Sequence, residues 1–204
     1  MADVVVGSKA HLVLNKPCGE GDEVVAEGGV ELVGGLHQTF TANLKEVFEC
    51  STRGELTVTS VKTADKNIPS HVAIENLKRV CKWLEELRYS YNTLYCLKPG
   101  EDYETSENVE GIIINSGYRS PAVNKLAGGV ATSNHLTGCA VDIRVAGKEQ
   151  LIRYACILID IADDTDQDFD ELLLEHGSNG VIWLHFAVRP PGQHNRRKIN
   201  FLQG

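Results

Sequence analysis

The sequence predicts one α+β domain, a small antiparallel sheet flanked by helices, preceded by a Gly- and Val-rich extension. Three observations carry this. The 204 residues suffice for one substantial core and a small appendage, not for two full domains. Two long stretches place apolar residues at helical spacing, whereas others alternate or run apolar only briefly, as strands do. Helices and strands also follow one another without the regular alternation that builds a parallel sheet.

Residues 1–38 contain VVV, LVL, EVV and GGVELVGG separated by the turn-like CGEGD and EGG. They read as short strands and tight turns, an extension with no functional signal of its own. The domain proper is expected over 39–204, opening with a short helix in ANLKEVFEC at 42–50. The clearest helix follows Ser70, a candidate N-cap, with Leu77, Val80, Cys81, Leu84, Leu87 and Tyr91 on one stripe. A polar, acidic loop leads to GIIIN at 111–115, an apolar run of the kind a fully buried strand shows. Ser120 and Pro121 then look like a cap and a first-turn proline, opening a short helix that Gly128 and Gly129 end.

CAVDIRV at 139–145 alternates, so Ala140, Asp142 and Arg144 share one face of a strand while Cys139, Val141, Ile143 and Val145 share the other. KEQLIRYACILIDIA is the second long helix. FDELLLEH and VIWLHFAV read as two strands of an antiparallel hairpin joined across Gly177, Ser178, Asn179 and Gly180.

Composition excludes several classes. With 42% hydrophobic and 24% charged residues the chain is an ordinary globular protein, neither disordered nor fibrous. A net charge of -8 argues against a partner made of nucleic acid, and Arg196, Arg197 and Lys198 read as a short solvated basic stretch. The first residues lack a secretory leader, and no apolar run reaches the roughly 20 residues of a membrane span. Cytoplasmic synthesis is therefore expected. Cys18, Cys50, Cys81, Cys96, Cys139 and Cys156 form no C-x2-C pair, so most are expected to be buried, reduced thiols.

The residues that suggest chemistry lie in the second half. His135 sits in the polar loop TSNHLTG just before the strand that carries Asp142, and His185 lies in an apolar strand on the face of Trp183 and Ala187. A loop His and a strand Asp seven positions later can reach a common point. Two His and one carboxylate with an open fourth position make a catalytic, not a structural, zinc site.

The run INSGYRSPAVNKLAGGVATSNHLTGCAVDI and the later WLHFAV resemble the zinc D-alanyl-D-alanine carboxypeptidase family, peptidase family M15, which shares its fold with the hedgehog signalling domain. Three pieces carry the resemblance: SGYRSPAVN at 116–124; S-x-H-x-x-G-x-A-x-D filled by Ser133, His135, Gly138, Ala140 and Asp142; and W-x-H filled by Trp183 and His185. It runs from about Phe40 onward. It implies that His135, Asp142 and His185 hold Zn2+, and it gives Arg119 and Ser133 work near the substrate. The Arg119 guanidinium suits a peptide carboxylate or a developing oxyanion, with a turn anchor as the plainer role. Ser133 either contacts substrate or bonds the loop backbone.

A base is also needed. Relatives carry Glu or His shortly before the last ligand, but the positions three and five before His185 are Ile182 and Gly180. Glu175 and His176 are the nearest candidates. Matching FDELLLE to the family favours Glu175, whereas a two- or four-residue hairpin loop would turn His176 to the His185 face, and an odd loop or a bulge would exchange them. Asp164, Asp166, Asp168, Asp170 and Glu175 also fit calcium-loop spacing, but Phe169 stands where that loop requires Gly.

The resemblance thus implies zinc-dependent hydrolysis of an amide bond in D-amino-acid-containing peptidoglycan stem peptides, by a D,D-carboxypeptidase or murein endopeptidase. A protein made without a leader would meet the wall as a phage lysin does, or process wall fragments inside the cell. A chain that keeps the fold but has lost its base would instead be a wall-binding or phage structural module.

Overall fold

The computed structural model describes residues 2–5, 11–14, 56–57 and 59–203. Near the start, β1 (Ala2–Val5) and β2 (His11–Leu14) pair antiparallel. The rest of the 1–38 extension, the helix expected at 42–50, and Cys18 and Cys50 lie outside the described residues.

Helix α1 (His71–Tyr91) starts where the sequence places it, because the Ser70 side chain accepts a hydrogen bond from the Ala73 N–H. Such a cap contributes about 1 kcal/mol. Its stripe of Leu77, Val80, Leu84 and Leu87 is buried, and a wide turn over Asn92–Cys96 ends it. Strand β3 (Ile114–Ser116) is shorter than expected from GIIIN. It lies at the sheet edge with a partner on one side only, so Ile113 is exposed and Ile114 half-buried.

Helix α2 (Pro121–Leu126) is capped by Ser120. A single tight turn over Asn134–Thr137 then leads into β4 (Ala140–Arg144). Helix α3 (Lys148–Thr165), β5 (Glu171–His176), β6 (Ile182–Ala187) and β7 (Lys198–Gln203) complete the domain.

The sheet order is β3-β4-β6-β5-β7. All neighbours are antiparallel except β5 and β7, which run parallel, so the expected antiparallel sheet is mixed at one edge. Alternation decides which side chains go where. Val141, Ile143, Leu172, Leu174, Leu184 and Phe186 join the core with residues of α1 and α3. Each such side chain stabilises the fold by about 1.5–3 kcal/mol relative to exposure. Asp142, Glu171, Leu173, Glu175, Trp183 and His185 therefore occupy the opposite face, and the helices hold the sheet from behind.

The acidic segment forms no calcium loop: Asp164 lies in α3, Phe169 is fully buried and Asp170 pairs with arginines. The basic stretch at 196–198 is likewise not simply solvated. Arg196 bonds Asp170, Arg197 bonds Asp163 and Asp168, and Lys198 bonds Glu171. Among the described cysteines Cys81 and Cys139 are buried, Cys96 is half-buried, Cys156 is exposed, and all four are free. No helix of the described residues is long and apolar enough to cross a membrane.

Candidate metal centre

The site is assembled from one turn and two strands. β4 and β6 pair so that Asp142 stands directly opposite His185. The turn over Asn134–Thr137 brings His135 onto the same point, and three interactions hold that turn. The Ser133 hydroxyl accepts from the His135 N–H at 3.3 Å, Asn76 of α1 donates to the Thr137 carbonyl at 2.9 Å, and Arg119 N–H donates to the His135 carbonyl at 3.1 Å. Gly138 closes the turn with φ 70°. A Cβ there would also lie 2.3 Å from the Ala73 carbonyl oxygen of α1, so the glycine is required both for its conformation and for close packing.

Asp142 Oδ1 lies 3.2 Å from His135 Nε2 and 2.9 Å from His185 Nδ1. One donor atom from each of the three residues falls within 4.8 Å of the others, and all three residues are buried. A tetrahedral zinc with bonds near 2.1 Å needs ligand atoms about 3.4 Å apart, so the 3.2 Å edge nearly fits and the 2.9 Å edge would open by about half an ångström.

The protonation pattern also suits an ion. His135 Nδ1 sits 2.6 Å from the Gly117 carbonyl oxygen. A carbonyl only accepts, so Nδ1 carries a proton, and Nε2 is the ring nitrogen that faces Asp142 and would face an ion bound there. Burial works to raise the Asp142 carboxyl, but hydrogen bonds from His135 and His185 and their charge outweigh it and hold Asp142 well below the usual carboxylate range. Burial likewise disfavours a charged His185, yet Asp142 and Glu171 together push it up to about 9. The cluster favours positive charge at this point, for which a proton and a divalent ion compete.

The register places the candidate bases. Residues 177–181 form a five-residue connection between β5 and β6. Leu173 faces His185 and Glu175 faces Trp183, while His176 pairs with Ile182. An odd connection thus turns Glu175 to the ligand face and His176 away from it. Burial raises the Glu175 carboxyl, which also feels the charges of His185, Asp142 and His135.

Arg119 donates through Nη2 to Asp142 Oδ2 and through Nε to Ser116 Oγ at 2.8 Å. Its side chain stays 19% exposed, so the guanidinium backs a ligand while retaining an edge toward solvent. Ser133 is placed as the cap of the His135 turn.

Sequence reasoning missed the supports around these groups. Asn67, almost fully buried, donates to the Thr57 and Tyr118 carbonyls and accepts from the Ser120 N–H at 2.6 Å, fastening the SGYRS loop. Asp170, fully buried, binds Arg189 at 2.8 Å, Arg196 through two nitrogens at 2.8 and 2.6 Å, and Asn134 at 3.0 Å. Beside it Glu171 takes Asn134, Arg196 and Lys198, and its Oε2 lies 3.7 Å from His185 Nε2. Its attraction to His185, opposed by burial and aided by Lys198 and Arg196, brings the Glu171 carboxyl down to about 2. Only the pairing of opposite charges along the sequence could have hinted at this network.

The mixed sheet and the turn before β4 bring two histidines and an aspartate together as a group that could hold a metal ion. Residues 104–158, about a quarter of the chain, match the family model for Peptidase M15. The matched segment contains Arg119, Ser133, His135 and Asp142; Glu175 and His185 follow it. No curated protein matches the chain.

Proposed function

We propose that the chain hydrolyses an amide bond in D-amino-acid-containing peptidoglycan stem peptides, as a D,D-carboxypeptidase or murein endopeptidase. The observation that carries the reading is the buried His135, Asp142 and His185 cluster with Glu175 on the same sheet face. The peptide class rests on the SGYRSPAVN, S-x-H-x-x-G-x-A-x-D and W-x-H motifs and their resemblance to D-alanyl-D-alanine carboxypeptidases.

His135 Nε2, Asp142 Oδ1 and His185 Nδ1 would hold the zinc. Bound there, zinc supplies Lewis acidity, polarising the scissile carbonyl and making a water acidic enough to ionise near neutral pH. Glu175 accepts a proton from the attacking water and returns it to the leaving amine, while the water oxygen bonds the carbonyl carbon and the C–N bond breaks. A carboxyl raised by burial suits that exchange. Arg119 holds Asp142 in place, and its exposed edge offers a donor to a peptide carboxylate or to the oxyanion. Ser133 keeps the His135 turn in register beside the substrate.

The Glu175 register also speaks against the non-catalytic wall-binding or phage structural module, whose basis was a misplaced base. The test is metal content together with hydrolysis of purified peptidoglycan, with and without a chelator, the product read by mass. One zinc per chain and chelator-sensitive release of a D-amino acid or a cleaved crosslink are expected. Stoichiometric zinc with no release from wall or stem peptides would overturn the catalytic reading.

A further inference from the structure

The two histidines of the cluster are supported unequally along the chain but in the same way chemically. His135 turns Nε2 toward Asp142 and donates Nδ1–H to the Gly117 carbonyl. His185 is reversed, with Nδ1 toward Asp142 at 2.9 Å and Nε2 facing outward. The group it faces is Glu171 Oε2, at 3.7 Å, within ion-pair reach and slightly beyond hydrogen-bond length. This follows from the strand register. Leu173 is directly opposite His185, and Glu171, two residues away on the same strand and face, is its diagonal neighbour.

We propose that Glu171 is a positioning residue for His185, the counterpart of the Gly117 carbonyl for His135. It keeps the proton on Nε2 so that Nδ1 presents its lone pair beside Asp142. Histidines that bind metals commonly donate their other ring N–H to a carboxylate or carbonyl, which fixes the tautomer and the ring angle. The inference rests on the zinc reading of the cluster.

Two features separate this role from that of a base. Glu171 lies at the ring nitrogen turned away from Asp142, so it does not adjoin the point where the three ligand atoms converge. Its oxygens are also occupied: Oε1 accepts from Arg196 at 3.0 Å and Lys198 at 3.1 Å, and Oε2 accepts from Asn134 at 2.9 Å. A carboxylate bonded on both oxygens is a fixed acceptor, not a mobile proton carrier. Asn134 also precedes His135 in the turn, so the same side chain connects the supports of both histidines.

The test uses the full-length protein and zinc itself. Zinc affinity is measured by competition with a chromophoric chelator, and the His185 ring is followed by 15N-edited NMR of the zinc-loaded protein. Glu171→Ala is expected to weaken zinc about 10- to 100-fold and to expose the His185 Nε2–H to rapid solvent exchange. Glu171→Gln, which keeps an acceptor of the same size, is expected to fall between wild type and Glu171→Ala, and it decides the matter if the Ala variant does not fold. Wild-type zinc affinity together with an unchanged Nε2–H signal in the variants would overturn the assignment while leaving the metal site intact. A wild-type chain that takes up no zinc would overturn the metal reading, and this assignment with it.

Discussion

Glu175 and Trp183 stand directly opposite each other on β5 and β6, two residues along from the Leu173 and His185 pair. This pairing gives the sheet a half-buried carboxylate on the ligand face, and Gly177 leaves room for it, since a Cβ there would come within 3.3 Å of the Trp183 ring.

Glu175→Gln keeps size and hydrogen bonding but cannot accept a proton. It is expected to retain zinc and lose at least about a hundredfold in kcat, the scale of a positioned base. His176→Asn, on the other face, is expected to change kcat less than about threefold. Turnover of wall peptide by both variants, read against metal content, checks the pair; the reverse order would put the base at His176.

Arg119→Lys keeps the charge and loses the planar fork that spans Asp142 Oδ2 and Ser116 Oγ. We expect kcat/KM to fall about tenfold or more, equivalent to about 1.4 kcal/mol of transition-state stabilisation. A parallel zinc titration divides the effect. Weaker zinc binding assigns the loss to Asp142, and a raised KM at full occupancy assigns it to substrate.

Asp170 contributes to the acid stability of the domain. Burial raises its carboxyl, but bonds from Arg196, Asn134 and Arg189 outweigh this and hold it well below its ordinary 3.8 in the folded protein. The sign follows: its contribution is complete above the unfolded value and is lost as pH falls through the lower native one. Asp170→Asn is therefore expected to cost about 3 kcal/mol near neutral pH, because Arg189 loses its charge partner and Arg196 keeps only Glu171. The gap to wild type should narrow below about pH 4. Urea melts of both proteins across the acid range measure it, and a constant gap would show that the charge contributes nothing.

Much of the fold was legible because its signals are local. The Ser70 and Ser120 caps, the stripe of α1 and the alternation of β4 lie within one or two turns of chain, and the structure follows them. The convergence of His135, Asp142 and His185 was legible because each sits in a motif of fixed spacing. Glu175 and His176 could not be separated, since their faces depend on how many residues the connection between β5 and β6 keeps out of the ladder. β7 left no local trace: its partner β5 runs parallel and lies far upstream, so nothing nearby in sequence announces it. The role of Arg196 to Lys198 was hidden for the same reason, because their partners Asp163, Asp168, Asp170 and Glu171 belong to earlier elements.

The attachment of β7 to β5 also sets an order on the birth of the molecule. A ribosome delivers His135, Asp142 and His185 before it delivers Arg196 and Lys198, yet Asp170 has no solvent exposure in the finished domain and depends on Arg196 for two of its bonds. Until that arginine emerges, Asp170 has Arg189 as its charge partner and Asn134 as a further donor, and a buried carboxylate short of partners is costly. The buried carboxylate beside Glu171, and with it the support next to His185, is therefore fully paired only once residues 196–198 have joined the sheet.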